Sequence, residues 1–78
     1  MNNKPIRVAV IYEPGRSHPK PIWFDLDGVQ VKVQEMCYFW QSHEGRAQLN
    51  HYSVNTDAGL FELIHNTLDQ TWRVQQGT

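Results

Sequence analysis

Apolar and polar residues alternate along much of this chain, a pattern typical of β-strands that have one covered face. The first alternating run covers residues 6–12, where Ile6, Val8 and Val10 share a face. The next segment, residues 14–21, contains three prolines and a glycine, which favour an extended or turning surface loop. A first strand followed by a flexible loop is therefore predicted.

The dipeptide Asp27-Gly28 gives the most specific local signal, because it stands between two alternating runs. Both residues can take the positive φ angles that a type I′ hairpin turn requires. Such a turn fixes the register of the two strands, and six apolar side chains then share one face. The predicted cross-strand pairs are Leu26–Val29, Phe24–Val31 and Ile22–Val33.

The alternation changes phase near Glu35. The apolar residues just before this point have odd numbers, whereas the large residues Met36, Tyr38 and Trp40 have even numbers. A β-bulge adds one residue to a strand, reverses the facing of the residues after it and bends the strand, as closure of a small barrel requires. A bulge near Glu35 is therefore predicted.

Further strands and turns complete a predicted antiparallel sheet. Residues 42–45 are interpreted as a polar loop, residues 56–59 as a four-residue turn and residues 75–78 as a polar tail. The predicted fold class is all-β, an antiparallel meander of five to six strands curled into a small open barrel, and residues 1–78 form one domain. The inward residues of the last strands are predicted as the pairs Val54–Phe61 and Tyr52–Leu63, with Trp72 and Val74.

Residues 59–70 allow a second interpretation, because Leu60, Leu63, Ile64 and Leu68 have the spacing of the buried stripe of a helix. A helix there would give an α+β fold. The strand interpretation is preferred, since a glycine begins the segment and Asn-Thr at residues 66–67 interrupts it.

Charge is unevenly distributed, although the net charge is only −1. Residues 1–22 carry four cations and one carboxylate, which gives +3, and residues 23–78 carry three cations and seven carboxylates, which gives −4. A general nucleic-acid binder normally shows a basic excess. The charge distribution therefore disfavours general nucleic-acid binding.

Cys37 is the only cysteine, so the chain cannot form an internal disulfide, whereas small secreted domains usually contain several. The first residues lack the pattern of a signal peptide, and no apolar run approaches the length of a membrane-spanning helix. A cytoplasmic protein without membrane association is therefore predicted.

The residue spacing supports no metal site and no catalytic motif. Four histidines, at positions 18, 43, 51 and 65, are separated by 25, 8 and 14 residues, whereas structural zinc sites use pairs a few residues apart. Cys37 could act as a nucleophile beside His51, but a buried, inert cysteine is the preferred interpretation. The chain is therefore predicted not to be an enzyme and to use no cofactor.

Five residues are candidates for a binding surface. The hairpin register places Trp23 outside and beside Lys32, and an outward Trp next to a cation is typical of stacking or interface surfaces. Arg7, Arg16 and Lys20 surround the proline-rich loop, where they could contact phosphates or an acidic partner. A covered Trp23 and a merely solvated loop are the alternatives.

Residues 21–74, about 54 of the 78, resemble a family of small bacterial domains of unknown function that are often encoded beside Y-family DNA polymerases. The resemblance covers P-I-W-F-D-L-D-G-V-Q-V-K-V-Q-E-M-C-Y-F-W, H-Y-S-V, L-F-E-L and T-W-R-V, and its marks are Phe24, Gly28, Val33, Trp40 and Trp72. It implies an all-β fold and, by neighbourhood alone, a link to DNA repair or polymerase complexes. The long basic or glycine-rich insertions of some members are missing here, which weakens that link.

The predicted function is that of a non-enzymatic binding or accessory module in a bacterial cytosolic protein complex, with a protein as the expected partner. A single-stranded nucleic-acid binder linked to DNA repair or replication is the alternative. The sequence leaves the oligomeric state open.

Overall fold

The structure, a computed structural model, describes residues 4–77, with side chains from Pro5 onward. These residues contain strands and turns, and no helix occurs among them. Accordingly, no helix in the described part of the chain is long and apolar enough to cross a membrane. The strands are β1 (Lys4–Ile6), β2 (Val8–Ile11), β3 (Lys20–Leu26), β4 (Val29–Glu44), β5 (Ala47–Thr56), β6 (Gly59–Asn66) and β7 (Thr71–Gln76).

The strands form one antiparallel sheet in the order β1-β7-β6-β5-β4-β3-β2. β1 and β2 lie at opposite ends of this order, yet Arg7 alone separates them in the chain, so the sheet must curl. Near this point the Asp25 N–H donates a hydrogen bond of 3.0 Å to the Arg7 carbonyl oxygen. The predicted all-β curled sheet is confirmed, with seven strands because the first predicted strand is divided at Arg7.

The hairpin between β3 and β4 has the predicted register. Asp27 and Gly28 take φ angles of 52° and 82°, and the turn aligns Leu26 with Val29 and Phe24 with Val31. The pairing ends at Trp23–Lys32, one step before the predicted pair Ile22–Val33. That last prediction is wrong: Ile22 is the extra residue of a bulge in β3, and the pairing of β3 with β4 does not continue past Lys32.

β4 contains two extra residues rather than the single one predicted. Gln34 and Cys37 have no residue opposite them on β5, and the register shifts at both places. The first shift confirms the bulge predicted near Glu35 and brings Met36 against the core. Long strands that bend in this way allow a small sheet to curl around its own core.

The second bulge reverses the facing of the strand once more, which the sequence analysis did not predict. Phe39 therefore packs against the core, and the large residues on either side of it point outward. Those outward residues, Tyr38 and Trp40, are 72% and 42% exposed. Both side chains therefore expose aromatic surface to solvent.

Residues 59–66 form β6, so the alternative helix over residues 59–70 is wrong. Phe61 and Leu63 are buried whereas Leu60 is exposed, which is the period-two burial of a strand. Leu68, which completed the apparent helical stripe, lies in the exposed turn between β6 and β7. The predicted pairs Val54–Phe61 and Tyr52–Leu63 are confirmed.

The predicted polar loop over residues 42–45 is also wrong, because β4 continues to Glu44. Gly45 and Arg46 form a two-residue turn, and the φ of 61° at Gly45 suits glycine. The turn aligns Glu44 with Ala47 and Ser42 with Leu49. As a result β4 and β5 form a long hairpin whose outer face carries both polar side chains and the aromatic residues Tyr38 and Trp40.

The core consists of aromatic and aliphatic side chains from the inner face of the curled sheet. The fully buried Phe24 meets Phe61 edge to face, with 5.5 Å between ring centroids. Trp72 and the buried Val74 fill the end of the core as predicted. The buried residues of this core cluster are Phe24, Tyr52, Val54, Phe61, Leu63 and Val74.

His65 lies beside this core, stacked on Trp72 with 4.5 Å between ring centroids. Its Nε2 is 3.1 Å from the Gln70 amide oxygen, while its buried Nδ1 has no hydrogen-bond partner. Burial lowers the pKa of His65, and the Gln70 contact and the Asp69 charge offset this only in part. The folded protein therefore favours a neutral His65 ring.

This burial predicts a pH dependence of stability. Between the lowered pKa of folded His65 and the ordinary value of 6.5, the unfolded chain binds more protons, so the free energy of unfolding falls as the pH falls. One proton limits the slope to about 1.4 kcal/mol per pH unit. We expect urea titrations to show a smaller loss for His65→Gln than for the wild type below pH 6.5. Equal pH profiles for the two proteins would contradict this role for His65.

Candidate functional site

The predicted binding residues Trp23 and Lys32 are directly opposite each other on β3 and β4. Trp23 is half-buried, with Ala9 of β2 on its other side, while Lys32 is exposed. Trp23 is thus less accessible than the sequence analysis predicted. The predicted position of Trp23 beside the cation Lys32 is nevertheless observed.

The predicted cations do not converge on one anion site. Arg7 donates two hydrogen bonds, of 3.0 and 2.9 Å, to one carboxylate oxygen of Asp25. Arg16 lies 3.3 Å from a carboxylate oxygen of Glu13 in the loop after β2. Lys20 begins β3 opposite Ile11 and is exposed. Two of the four charges are therefore partly neutralised by carboxylates.

The proline-rich loop is anchored to the domain by His18. Its ring stacks on Phe39 with 3.6 Å between centroids and meets Tyr52 edge to face. This contact holds the loop against the inner side of β4. His18 is therefore a packing residue and does not extend the group of surface cations.

A more continuous surface is the outward row of β4, which we call the β4 face. In this row two aromatic side chains and a serine lie between two carboxylates. The five residues are Glu35, Tyr38, Trp40, Ser42 and Glu44. Among the side chains that the structure describes, no cation lies within 4 Å of either of these two carboxylates. The β4 face therefore combines exposed aromatic area with unpaired negative charge.

One edge of β4 has no strand beside it. β3 accompanies β4 only from Val29 to Lys32, and β5 lies on the other side from Val33 onward. Over residues 4–77, neither a strand nor a loop forms backbone hydrogen bonds with the β3-side edge from Gln34 to Glu44. We call this segment the open edge of β4. Its unpaired N–H and C=O groups are ready to bond another extended chain.

A line of polar side chains, the polar row, crosses the outer face of β4, β5, β6 and β7. Ser42 Oγ is 2.7 Å from His51 Nε2, and His51 Nδ1 is 2.7 Å from Glu62 Oε2. The other carboxylate oxygen of Glu62 accepts a hydrogen bond of 3.2 Å from the Gln75 amide. Trp40 stacks on the His51 ring, with 4.9 Å between centroids and an interplanar angle of 9°.

A cavity of about 240 Å³ lies beside the polar row. Leu49, opposite Ser42, and Ile64, opposite His51, supply its apolar lining. Arg73 and Glu44 add one charge of each sign. A shallower groove elsewhere borders Arg7, Asp25 and the turn at Asp27. With Asn66 and Thr71, the lining of the 240 Å³ cavity is mostly polar and includes only a small apolar area.

Cys37 is exposed, so the interpretation as a buried, inert cysteine is wrong. The bulge at this position places its side chain at the surface. His51, the base considered for it, is engaged with Ser42 and Glu62 instead. In the part of the chain that the structure describes, no group of three or more His, Cys, Asp or Glu residues could hold a metal ion.

Neither the open edge nor the polar row is predicted from the sequence. A two-residue turn at Gly45-Arg46 fixes the register of β4 on β5. That register alone places Trp40 opposite His51, and Ser42 diagonally next to His51. The bulge at Cys37, which turns Tyr38 and Trp40 outward, left no comparable signal because residues 36–40 are apolar throughout.

No protein-family model, no curated protein and no solved structure matches the chain. The resemblance to the small bacterial family therefore stays a prediction.

Proposed function

We propose that this domain is a binding module that takes up an extended, basic segment of a partner protein along the open edge of β4. The single observation that carries this proposal is the unpaired edge from Gln34 to Glu44 beside exposed Tyr38 and Trp40. An added strand would complete the hydrogen bonds of β4. Side chains on its outward side would lie beside the β4 face.

The chemistry of the β4 face supports a basic segment as the ligand. Among the described residues, no cation lies within 4 Å of the carboxylates of Glu35 and Glu44, although Arg73 lines the same cavity as Glu44. Lys and Arg side chains can pair with such carboxylates and can also stack on aromatic rings. The same two carboxylates would repel a phosphate backbone, so the nucleic-acid alternative has less support at this surface.

The cell compartment belongs to this proposal too. We place the module in the bacterial cytosol, where the reducing environment would keep the exposed thiol of Cys37 from forming a disulfide with another chain. The bacterial origin and the role in a protein complex rest on the resemblance of residues 21–74.

The direct test is an NMR titration of the ¹⁵N-labelled protein with a short peptide of alternating Lys and Thr. We expect amide shifts along the open edge, and no comparable shifts with the matched peptide of Glu and Thr. Glu35→Gln should weaken binding by about two- to fivefold, the value of an exposed ion pair. Gln30→Lys makes the same charge change on the β3-paired part of β4 and is the control.

Three outcomes would contradict the proposal. The peptide of Glu and Thr could bind as well as that of Lys and Thr. The shifts could centre on Trp23 and Lys32 instead of the open edge. An oligothymidine could shift the β4 face more strongly than either peptide, with an affinity that falls steeply with salt, which would favour the nucleic-acid alternative.

A further inference from the structure

The polar row has the hydrogen-bond order of an activated serine. A carboxylate only accepts hydrogen bonds, so Nδ1 of His51 donates to Glu62, and Nε2 of the neutral ring is left as an acceptor. The Ser42 hydroxyl then donates to Nε2 over 2.7 Å. A nucleophilic serine site has these parts: a carboxylate orients the histidine, and the histidine accepts the proton of the serine.

Neighbouring side chains fix this arrangement. Trp40 covers one side of the His51 ring, and Gln75 holds the far oxygen of Glu62. The side chains of His51 and Glu62 are only 12% and 20% exposed. A fixed base in a partly dry environment is what proton transfer from a serine requires.

The surroundings of Ser42 leave room for a small substrate. The adjacent cavity of about 240 Å³ is lined mostly by polar residues, and Leu49 and Ile64 give it a small apolar area that has room for only a short acyl chain. Backbone N–H groups alternate in direction along a strand. Either the N–H of Ser42 or the N–H groups of Gln41 and His43 therefore point toward the open edge of β4. These groups, unpaired in the described residues, can donate to an oxyanion.

We propose that Ser42, His51 and Glu62 form a site that hydrolyses short-chain carboxylic esters. Ser42 Oγ attacks the ester carbonyl carbon and its proton passes to His51 Nε2. The bond between the carbonyl carbon and the leaving oxygen breaks, and His51 protonates the alcohol that departs. Water then attacks the acyl-serine, gives its proton to His51, and the carboxylic acid leaves as Ser42 recovers its proton.

This inference goes beyond the proposed binding function and does not depend on it, since no peptide takes part. It also goes against the expectation from the sequence that the chain is not an enzyme. A simple structural role for the polar row would predict no reaction at Ser42. The difference between the two can be measured directly.

The test uses p-nitrophenyl acetate and a fluorophosphonate probe, in a Cys37→Ala background because an exposed thiol also reacts with activated esters. We expect ester hydrolysis, and a phosphonate adduct that peptide mass spectrometry places on Ser42. Adding Ser42→Ala or His51→Gln should reduce kcat/KM by about 10²-fold or more, the contribution of a general base.

Ser53→Ala is the matched control, because Ser53 faces outward on β5 between Tyr38 and Glu62, and among the described residues its hydroxyl donates no hydrogen bond to His51 or Glu62. It should retain both hydrolysis and the adduct. Amide spectra of each variant establish that it is folded. Equal hydrolysis with and without Ser42, together with no adduct on Ser42, would overturn the proposal and leave the polar row as a structural feature.

Discussion

Phe24→Ala should lower the free energy of unfolding by about 3–5 kcal/mol, the cost of removing a buried aromatic side chain. Phe24 is fully buried and meets Phe61 across the curled sheet. A domain of 78 residues has a total stability of roughly 4–12 kcal/mol, so this loss removes between about a quarter and all of it.

Urea unfolding followed by tryptophan fluorescence measures this loss. Val29→Ala in the same hairpin is the control, because Val29 is largely exposed and its truncation should change stability by about 0.5 kcal/mol or less. A loss below about 1 kcal/mol for Phe24→Ala would mean that this side chain is not enclosed, contrary to the curled sheet.

Deleting Cys37 should destabilise the domain by at least about 2 kcal/mol, because it removes the bulge that turns Phe39 inward. Without the extra residue, either Phe39 leaves its place between His18 and Tyr52 or the whole hairpin of β4 and β5 shifts register. Either change removes aromatic contacts that stabilise the small core.

The substitution Cys37→Ala is the control for this deletion. It keeps the extra residue and removes only an exposed thiol, so stability should change by about 0.5 kcal/mol or less. Thermal unfolding and the aromatic NMR signals of Phe39 provide the measurements. A deletion variant as stable as Cys37→Ala, with Phe39 signals unchanged, would show that Cys37 is not an extra residue in β4.

The sequence predicts the sheet well where a turn fixes the register. Asp27-Gly28 determines which residues of β3 and β4 meet, and residues 56–59 do the same for β5 and β6. The hairpin from Glu44 to Ala47 was missed because its polar residues resembled a loop, although the register of β4 on β5 depends on it. Local turn chemistry is thus the most informative part of this sequence.

The candidate sites were harder to predict because they depend on residues far apart in the chain. Ser42, His51 and Glu62 come together only when two registers are correct, that of β4 on β5 and that of β5 on β6. The open edge exists because β4 is much longer than β3, and no single residue signals it. The surface predicted around Trp23 and Lys32 follows from the register of one hairpin and requires no contact between distant segments.

Amide hydrogen exchange along residues 38–44 tests the open edge most directly, because β4 and β5 pair regularly there. We expect every second amide of the free protein to exchange quickly, and those between to be protected by β5. Saturation with the peptide of alternating Lys and Thr should then protect the fast set. Slow exchange of every amide in the free protein would mean that the edge is already covered, and the proposed binding mode would be wrong.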